Sequence, residues 1–538
     1  MQLSPSAHAD TFCRDNLPPT DQWPDLDLSL AGLSYPGLLN AADELLDATI
    51  AARGANRRCL LAPGETWTYG DLAARASQVA RVLTEDLGLV PGNRVLLRGP
   101  NNPWLVACWF GVLKAGGVAV TTMPMLRTAE LTTICEIAQV SLALCDHRFT
   151  DELAAVPGVR IVTFGDSGDL TALASAKPSA FSSVATAADD VAIIAFTSGT
   201  TGRPKATMHF HRDLLAVADT FSARVLRPGP DDLFAGTPPL AFTFGLGAAV
   251  LFPFRAGAAS LLLEKATPVE LADHIAAFGV TIVSTAPTAY RAMLAAGKAD
   301  QLRGLRKPVS AGEHLPGPTW QAFYDATGVK IIDGIGSTEM LHIFIGSAGG
   351  EIRPGSTGRE VPGYRAVILN AEGKQVPDGE PGRLAVKGPT GCRYLNDPRQ
   401  RVYVQDGWNI TGDTYVRDPD GYFWFQARSD DMIISGGYNI AGPEIEEILL
   451  GHPDVAECGV VGIPDEARGQ IVKAFVVLRA GTTADDAKVR ELQDLVKNSI
   501  APYKYPRSVE FVQTLPRTNT GKLQRFRLRL RDEAAETS

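Results

Sequence analysis

One stretch concentrates the residue types that handle phosphate. Thr197-Ser198-Gly199-Thr200-Thr201-Gly202-Arg203-Pro204-Lys205 follows the apolar run from Val191 to Phe196. Its glycines let backbone N–H groups approach an anion, its hydroxyls donate hydrogen bonds, and Lys205 adds charge. The order differs from the Walker pattern, in which Gly-Lys-Ser/Thr opens a helix, because Pro204 separates Arg203 from Lys205. A P-loop NTPase is therefore disfavoured. Taken alone, the same composition also describes a solvated Ser/Thr/Gly turn.

Further segments follow in order: Ser310-Ala311-Gly312-Glu313, Asp333-Gly334-Ile335-Gly336-Ser337-Thr338-Glu339 and Thr411-Gly412-Asp413. After them come Arg428-Ser429-Asp430-Asp431, then Gly436-Gly437-Tyr438-Asn439, and near the end Pro516-Arg517-Thr518-Asn519-Thr520-Gly521-Lys522. Together with the first loop they resemble the motif series of the adenylate-forming superfamily. That superfamily includes acyl-CoA synthetases, nonribosomal adenylation domains and luciferases. The resemblance runs from about residue 35 to residue 530.

The resemblance implies a role for each segment. Thr197, Ser198, Gly199, Thr200, Thr201, Gly202 and Lys205 would hold the ATP phosphates. Ala311, Gly312 and Glu313, with Asp333, Gly334, Ile335, Gly336 and Ser337, would frame the adenine. Ile335 stands where many members carry Tyr, so an aliphatic side chain would cover a purine face. Asp413 would accept from the ribose hydroxyls, with Arg428 beside it. Thr338 would reach the α-phosphate, and Glu339 would hold Mg²⁺, a hard cation suited to one carboxylate plus phosphate oxygens. Lys522 would bridge the substrate carboxylate and the α-phosphate. A carboxylate is a poor acyl donor until its oxygen becomes part of AMP, and the charge that builds on phosphorus needs positioned cations. Asp430 matches a hinge about which a C-terminal domain rotates. Gly436, Gly437 and Tyr438 would line the channel for a thiol, coenzyme A.

The acyl pocket would draw on two places: Phe242, Thr243, Phe244 and Gly245, and Gly336, His342 and Ile343. These segments, with His209-Phe210-His211-Arg212-Asp213, look like benzoate-CoA ligases and in particular 2-aminobenzoate-CoA ligases. Many superfamily members have His where Phe242 stands. The implied activity is an ATP-dependent aryl-CoA ligase acting on 2-aminobenzoate, otherwise 2-hydroxybenzoate or benzoate. The alternative is an aryl-adenylating enzyme that loads a carrier protein's phosphopantetheine. A scaffold that had lost catalysis would be expected to lack Lys522 or Glu339, and a hydrolase would need a GxSxG elbow that is absent. His209 and His211 are expected to be structural, since two ligands without a third do not make a metal site.

The elements that must position these residues read as α/β. Apolar strands alternate with helices from Tyr69 to Ser284, predicting helix-covered parallel sheets. A small β unit follows residue 355, and a small mobile α+β domain closes the chain. The expected domains are 1–429, holding ATP and the acid, and 430–538, carrying Lys522. The net charge of −9 argues against nucleic acid as a partner. The start lacks a basic n-region and an apolar h-region, and no run is long enough to span a membrane, so the reading expects a cytoplasmic protein. Seven cysteines without a CxxC read as buried reduced thiols. A homodimer is common among members of the superfamily.

Overall fold

The computed structural model describes residues 3–197, 204–428, 431–435, 438–465, 468–500, 502–517 and 522–536. Its first large sheet has six strands. Arg94–Arg98 lies in the interior, with Val118–Thr122 and Leu142–Asp146 parallel on either side. Arg160–Phe164 extends one flank, and Val191–Thr197 then Lys205–Phe210 the other. Strands buried on both faces become apolar throughout, as in Val95, Leu96 and Leu97. Pro103–Lys114 covers this sheet as an almost fully buried helix. Asn102 caps it by accepting from the Leu105 amide, and Pro103 supplies the first-turn φ. Gly111 lets the helix Tyr69–Arg81 approach, since a Cβ there would sit 2.6 Å from Val79 Cγ1.

The second large sheet has eight strands in the order Ile343–Gly346, Ile332–Gly336, Lys307–Ser310, Ile282–Thr285, Leu233–Gly236, Ala259–Leu261, Arg58–Ala62 and Glu65–Thr68. The interior strands are parallel, as the alternating pattern predicts. Both large sheets nevertheless end in antiparallel strands: Lys205–Phe210 on Val191–Thr197, and Ile343–Gly346 on Ile332–Gly336. The reason is connection length. Residues 198–204 and 337–342 are too few for a parallel crossover, which takes about a dozen residues or more.

The third sheet is the small antiparallel unit expected after residue 355, built from Arg365–Leu369, Pro381–Lys387, Val404–Gln405, Trp408–Arg417 and Phe423–Arg428. The last unit pairs two long strands, Val455–Asp465 and Gly469–Leu478, with Ile433–Ser435 and Ser508–Phe511 alongside. Helices Gly442–Leu450, Asp486–Ser499 and Arg525–Glu536 pack on it. Arg525 donates to both Glu446 oxygens at 2.8 Å, fixing the last helix to the first.

The N-terminal segment drapes over the first sheet as expected. The Ser4 amide donates to Asp189 at 3.1 Å, and Asp10 accepts from Asn93 Nδ2 at 2.7 Å. All seven cysteines are free and buried, and burial pushes the Cys13 and Cys145 thiols up to about 12. Among the described residues no helix is long and apolar enough to cross a membrane.

A buried ion pair joins the six-stranded sheet to the segment that leads into the third. Arg393 donates to Asp213, and both side chains are fully buried, with the guanidinium 4.0 Å from the Phe210 ring centroid. Removing one partner would strand the other charge in an apolar core. Asp213→Ala is expected to lower stability by about 3–5 kcal/mol in equilibrium denaturation, more than a cavity of that size would.

Candidate functional site

Several of the residues singled out by type gather around the 337–342 turn and the start of strand Lys205–Phe210. Glu339 lies in the 337–342 turn and is buried. It accepts the Tyr394 phenol at 2.6 Å, and Lys205 donates to the same phenol oxygen at 3.2 Å. Burial and the Glu339 carboxylate push the phenol far above the ordinary tyrosine range, which keeps it the donor. Tyr403 packs edge-on against Tyr394 at 5.9 Å, with its hydroxyl 3.1 Å from Ser337 Oγ. His209 lies under the turn, 2.8 Å from the Thr338 carbonyl. Burial lowers its pKa to about 4, so the ring is neutral and Nε2 carries the proton toward the carbonyl. Leu341 closes the turn at φ +70, a conformation that costs a branched side chain energy and that its surroundings must enforce.

Ala311 to Glu313 follow strand Lys307–Ser310, and Asp333 to Gly336 form most of strand Ile332–Gly336. Gly312 turns the chain at φ +88, and a Cβ there would sit 3.7 Å from Lys522 Cε. Lys522 therefore reaches from the last unit to the end of the eight-stranded sheet. It keeps solvent access in the open cleft. Protein still surrounds it densely enough that burial, then the Arg428 guanidinium, draws its pKa below the lysine range. Glu313, Asp413 and Glu339 pull the other way. Asp413 and Arg428 sit opposite each other in a ladder, 3.4 Å apart. The Asp333 Oδ1 is sealed without a hydrogen-bond partner, and burial drives that carboxyl well above its usual range. Ile335 is half-buried beside it.

The acyl-pocket residues also converge. Asn101 holds the loop before Phe242 by donating to the Pro238 carbonyl at 3.1 Å and accepting the Leu240 amide at 2.8 Å. Phe242 precedes the short helix Thr243–Leu246. Gly245 is confined by the Pro239 carbonyl, 2.0 Å from where a Cβ would stand. His342 lies among Phe252, Phe244 and Phe221, with ring centroids 4.4, 5.6 and 5.7 Å away. Burial lowers its pKa to about 3, only partly offset by the Phe244 backbone. Gly336 presses on the His342 carbonyl, and Ile343 packs over Gly334 rather than standing free.

Polar contacts near this cleft join the last unit to the body, through Glu313 and the Gly317 amide, and others brace it internally, through Glu457 and the Asp431–Arg529 pair. Arg517 lies 3.5 Å from Glu313 and 2.6 Å from Glu457. Glu447 accepts the Gly317 amide at 3.2 Å, and Asp431 pairs with Arg529 at 2.9 Å. Ser198, Gly199, Thr200, Thr201, Gly202, Asp430, Gly436 and Gly437 lie outside the described residues, as does the Tyr438 side chain. Thr197 and Lys205, which flank the loop, are paired across the hairpin.

Tyr394, Tyr403 and Asn101 were not among the sequence candidates. Tyr394 stands 55 residues from Glu339 and 189 from Lys205 in sequence. No local spacing could have joined them. Among the described residues no group of three or more metal-binding side chains occurs. A lone buried carboxylate such as Glu339 suits Mg²⁺, which takes few protein ligands and fills its shell from substrate phosphates and water.

Comparison with known proteins follows the same outline. The profile of the AMP-binding enzyme family matches residues 47–393, and that of the AMP-binding enzyme C-terminal domain matches residues 444–522. A benzoate–CoA ligase of Thauera aromatica is 35% identical over 514 residues, covering 92% of this chain and 97% of that protein. A 3-hydroxybenzoate–CoA ligase of Aromatoleum sp. (strain CIB) is 32% identical, with 92% and 97% covered. A solved anthranilate CoA ligase in complex with anthranoyl-AMP aligns at TM-score 0.89 and 35% identity, over 94% of this chain and 99% of that one. A benzoate CoA ligase from Burkholderia xenovorans LB400 aligns at TM-score 0.85 and 32% identity, over 91% and 100%.

Tyr394→Phe keeps the ring packing and removes the hydrogen bond to Glu339. The magnesium concentration for half-maximal turnover is expected to rise about tenfold, in line with one lost bond to a charged group. The melting temperature should move little. Titrating Mg²⁺ at fixed ATP reads the first effect, and thermal denaturation the second.

Proposed function

The chain belongs to the AMP-binding enzyme family, and we propose that it is an ATP-dependent aryl-CoA ligase. In this reading it joins an aromatic carboxylate to AMP with release of pyrophosphate, then passes the acyl group to coenzyme A. The observation that carries it is Lys522, brought from the last unit to Gly312 and within electrostatic reach of Glu313, Asp413 and Glu339. A cation in that place can meet both the acid's carboxylate and the α-phosphate it attacks.

In this reading the remaining residues take the parts that the motif resemblance implies. Asp413 and Arg428 offer an acceptor and a donor for the ribose. Thr338 and Lys205 serve the phosphates with the 198–202 loop, and Gly312, Glu313 and Asp333 to Gly336 frame the adenine. Glu339 would hold Mg²⁺, which supplies charge neutralisation for the phosphates when bound. Residues 1–429 bind ATP and the acid, and 430–538 form the mobile unit that delivers Lys522. Gly436, Gly437 and Tyr438 then line the thiol's path after a rotation about Asp430.

The acid is an aromatic one, with 2-aminobenzoate ahead of 2-hydroxybenzoate and benzoate. Support comes from the names of the relatives and from the apolar cage of Phe221, Phe244 and Phe252. Inside that cage His342 is neutral, with the Phe244 backbone as its polar neighbour, so its ring can still meet a ring substituent or the carboxylate. Loading of a carrier protein's phosphopantetheine is the alternative for the second step.

The test is pyrophosphate exchange into ATP across a panel of substituted benzoates and straight-chain acids, with free coenzyme A then added to measure thioester. Exchange should require an aromatic acid, and Lys522→Ala should reduce it by roughly a hundredfold or more. Exchange supported only by aliphatic acids, or unchanged in the variant, overturns the reading. Activation without thioester formation on free coenzyme A points instead to a carrier. His342→Leu should erase the preference for 2-aminobenzoate over benzoate by about tenfold, the scale of one lost buried hydrogen bond. Benzoate activation should be largely spared.

A further inference from the structure

The eight-stranded sheet has a second concavity at the end away from the adenine-framing loops. Strand Lys307–Ser310 meets those loops at Ser310 and opens the other cavity at Lys307, about 10 Å earlier along the strand. The cavity measures about 580 Å³ and lies between the 224–227 turn, Lys307, the Gly346–Glu351 loop and the Arg359–Pro362 segment. That volume is in the range of small-molecule sites.

Four cations line it: Arg224, Arg227, Lys307 and Arg359. In a chain with 60 acidic and 51 basic residues such a grouping is unexpected. Nor is it neutralised internally. None of the four forms an ion pair among the described residues, whereas the neighbouring Arg306 pairs with Asp232. Lys307 is half-buried, and among the described residues its ammonium makes no hydrogen bond or ion pair, with Asp232 the one acid that acts on it at longer range. Burial, then Arg306 and Arg227, lowers its pKa, as expected for an ammonium facing like charges. Arg227 spends one donor on the Arg224 carbonyl at 3.0 Å. Arg359 gives one to the Asp420 carbonyl at 2.8 Å and keeps a buried Nε without a partner. Two acids also line the cavity. Glu360 is engaged by the Ala366 amide at 2.6 Å, and Glu351 sits at the exposed rim.

We propose that this cavity is a second anion site, separate from the ATP cleft, for a small ligand carrying a dianionic phosphate group. The four cations less the two carboxylates leave two positive charges, which a phosphate dianion matches. Guanidinium groups also suit phosphate oxygens geometrically. The volume leaves room for an organic body beyond the phosphate.

Isothermal titration of the full-length chain with inorganic phosphate and with ribose 5-phosphate tests this. Both should bind, more weakly as salt rises, and Lys307→Gln and Arg227→Gln should each weaken binding by about tenfold or more. Lys307→Arg should restore most of it. Lys205→Gln, which alters the ATP cleft, should leave this binding intact. Tighter binding of ribose 5-phosphate identifies a phosphomonoester as the class of ligand, and equal affinity identifies free phosphate. Both variants are at surface-accessible positions, and matching thermal melts will show that they fold. Absence of saturable binding overturns the proposal. So does binding that falls in Lys205→Gln but not in Lys307→Gln, or that persists unchanged in all variants.

Discussion

The chain of hydrogen bonds from Lys205 through the Tyr394 hydroxyl to Glu339 is the point on which the rest of the site depends. Each residue comes from a different part of the molecule. Lys205 opens the edge strand of the six-stranded sheet, and Glu339 lies in the turn that ends the eight-stranded sheet. Tyr394 sits in the connection between strands Pro381–Lys387 and Val404–Gln405 of the small antiparallel sheet. Two sheets that pack apolar faces together could slide relative to one another with little directional cost. A buried carboxylate that needs its phenol partner removes that freedom, because an unpaired carboxylate in such a place is costly. The His209 bond to Thr338 and the Tyr403 contact with Ser337 secure the same turn from its other sides.

The last unit is held differently. Its described contacts with the body include Arg517 to Glu313, Glu447 to the Gly317 amide, and the packing of helix Gly442–Leu450 on strand Phe423–Arg428 and helix Gly317–Thr327. Within the unit, by contrast, Arg525 and Glu446 tie its first and last helices together. Glu313, Asp413 and Glu339 partly offset the effect of burial and of Arg428 on the Lys522 ammonium.

The acyl side follows another logic. His342 is neutral and enclosed by three phenylalanines, so its value lies in donor and acceptor capacity rather than charge. Asn101 shapes the facing loop from a third location, the end of the first sheet's interior strand. The pocket thereby inherits its outline from both sheets. The apolar surroundings of His342 are thus separate from the Lys205–Tyr394–Glu339 network, although the turn 337–342 contributes to both.

Much of this molecule was legible in its residue order. The nine-residue loop after an apolar strand, the glycine-flanked Glu339 segment and the late Lys522 each combine type and local spacing, and local spacing is what a sequence displays directly. The strand and helix rhythm was equally visible, because apolar periodicity reports burial. Tertiary structure alone decided that both large sheets would end in antiparallel strands, a consequence of connections too short to cross over. It alone paired Tyr394 with Glu339 and Lys205, Asn101 with the Pro238–Leu240 loop, and Arg393 with Asp213. It also gathered Arg224, Arg227, Lys307 and Arg359 around one cavity. Those partners lie tens to hundreds of residues apart, and a phenol or a lysine carries no mark in sequence of the distant group it will meet. Periodicity and motif spacing reveal neighbours along the chain, whereas buried polar pairs are set by which faces the sheets bring together.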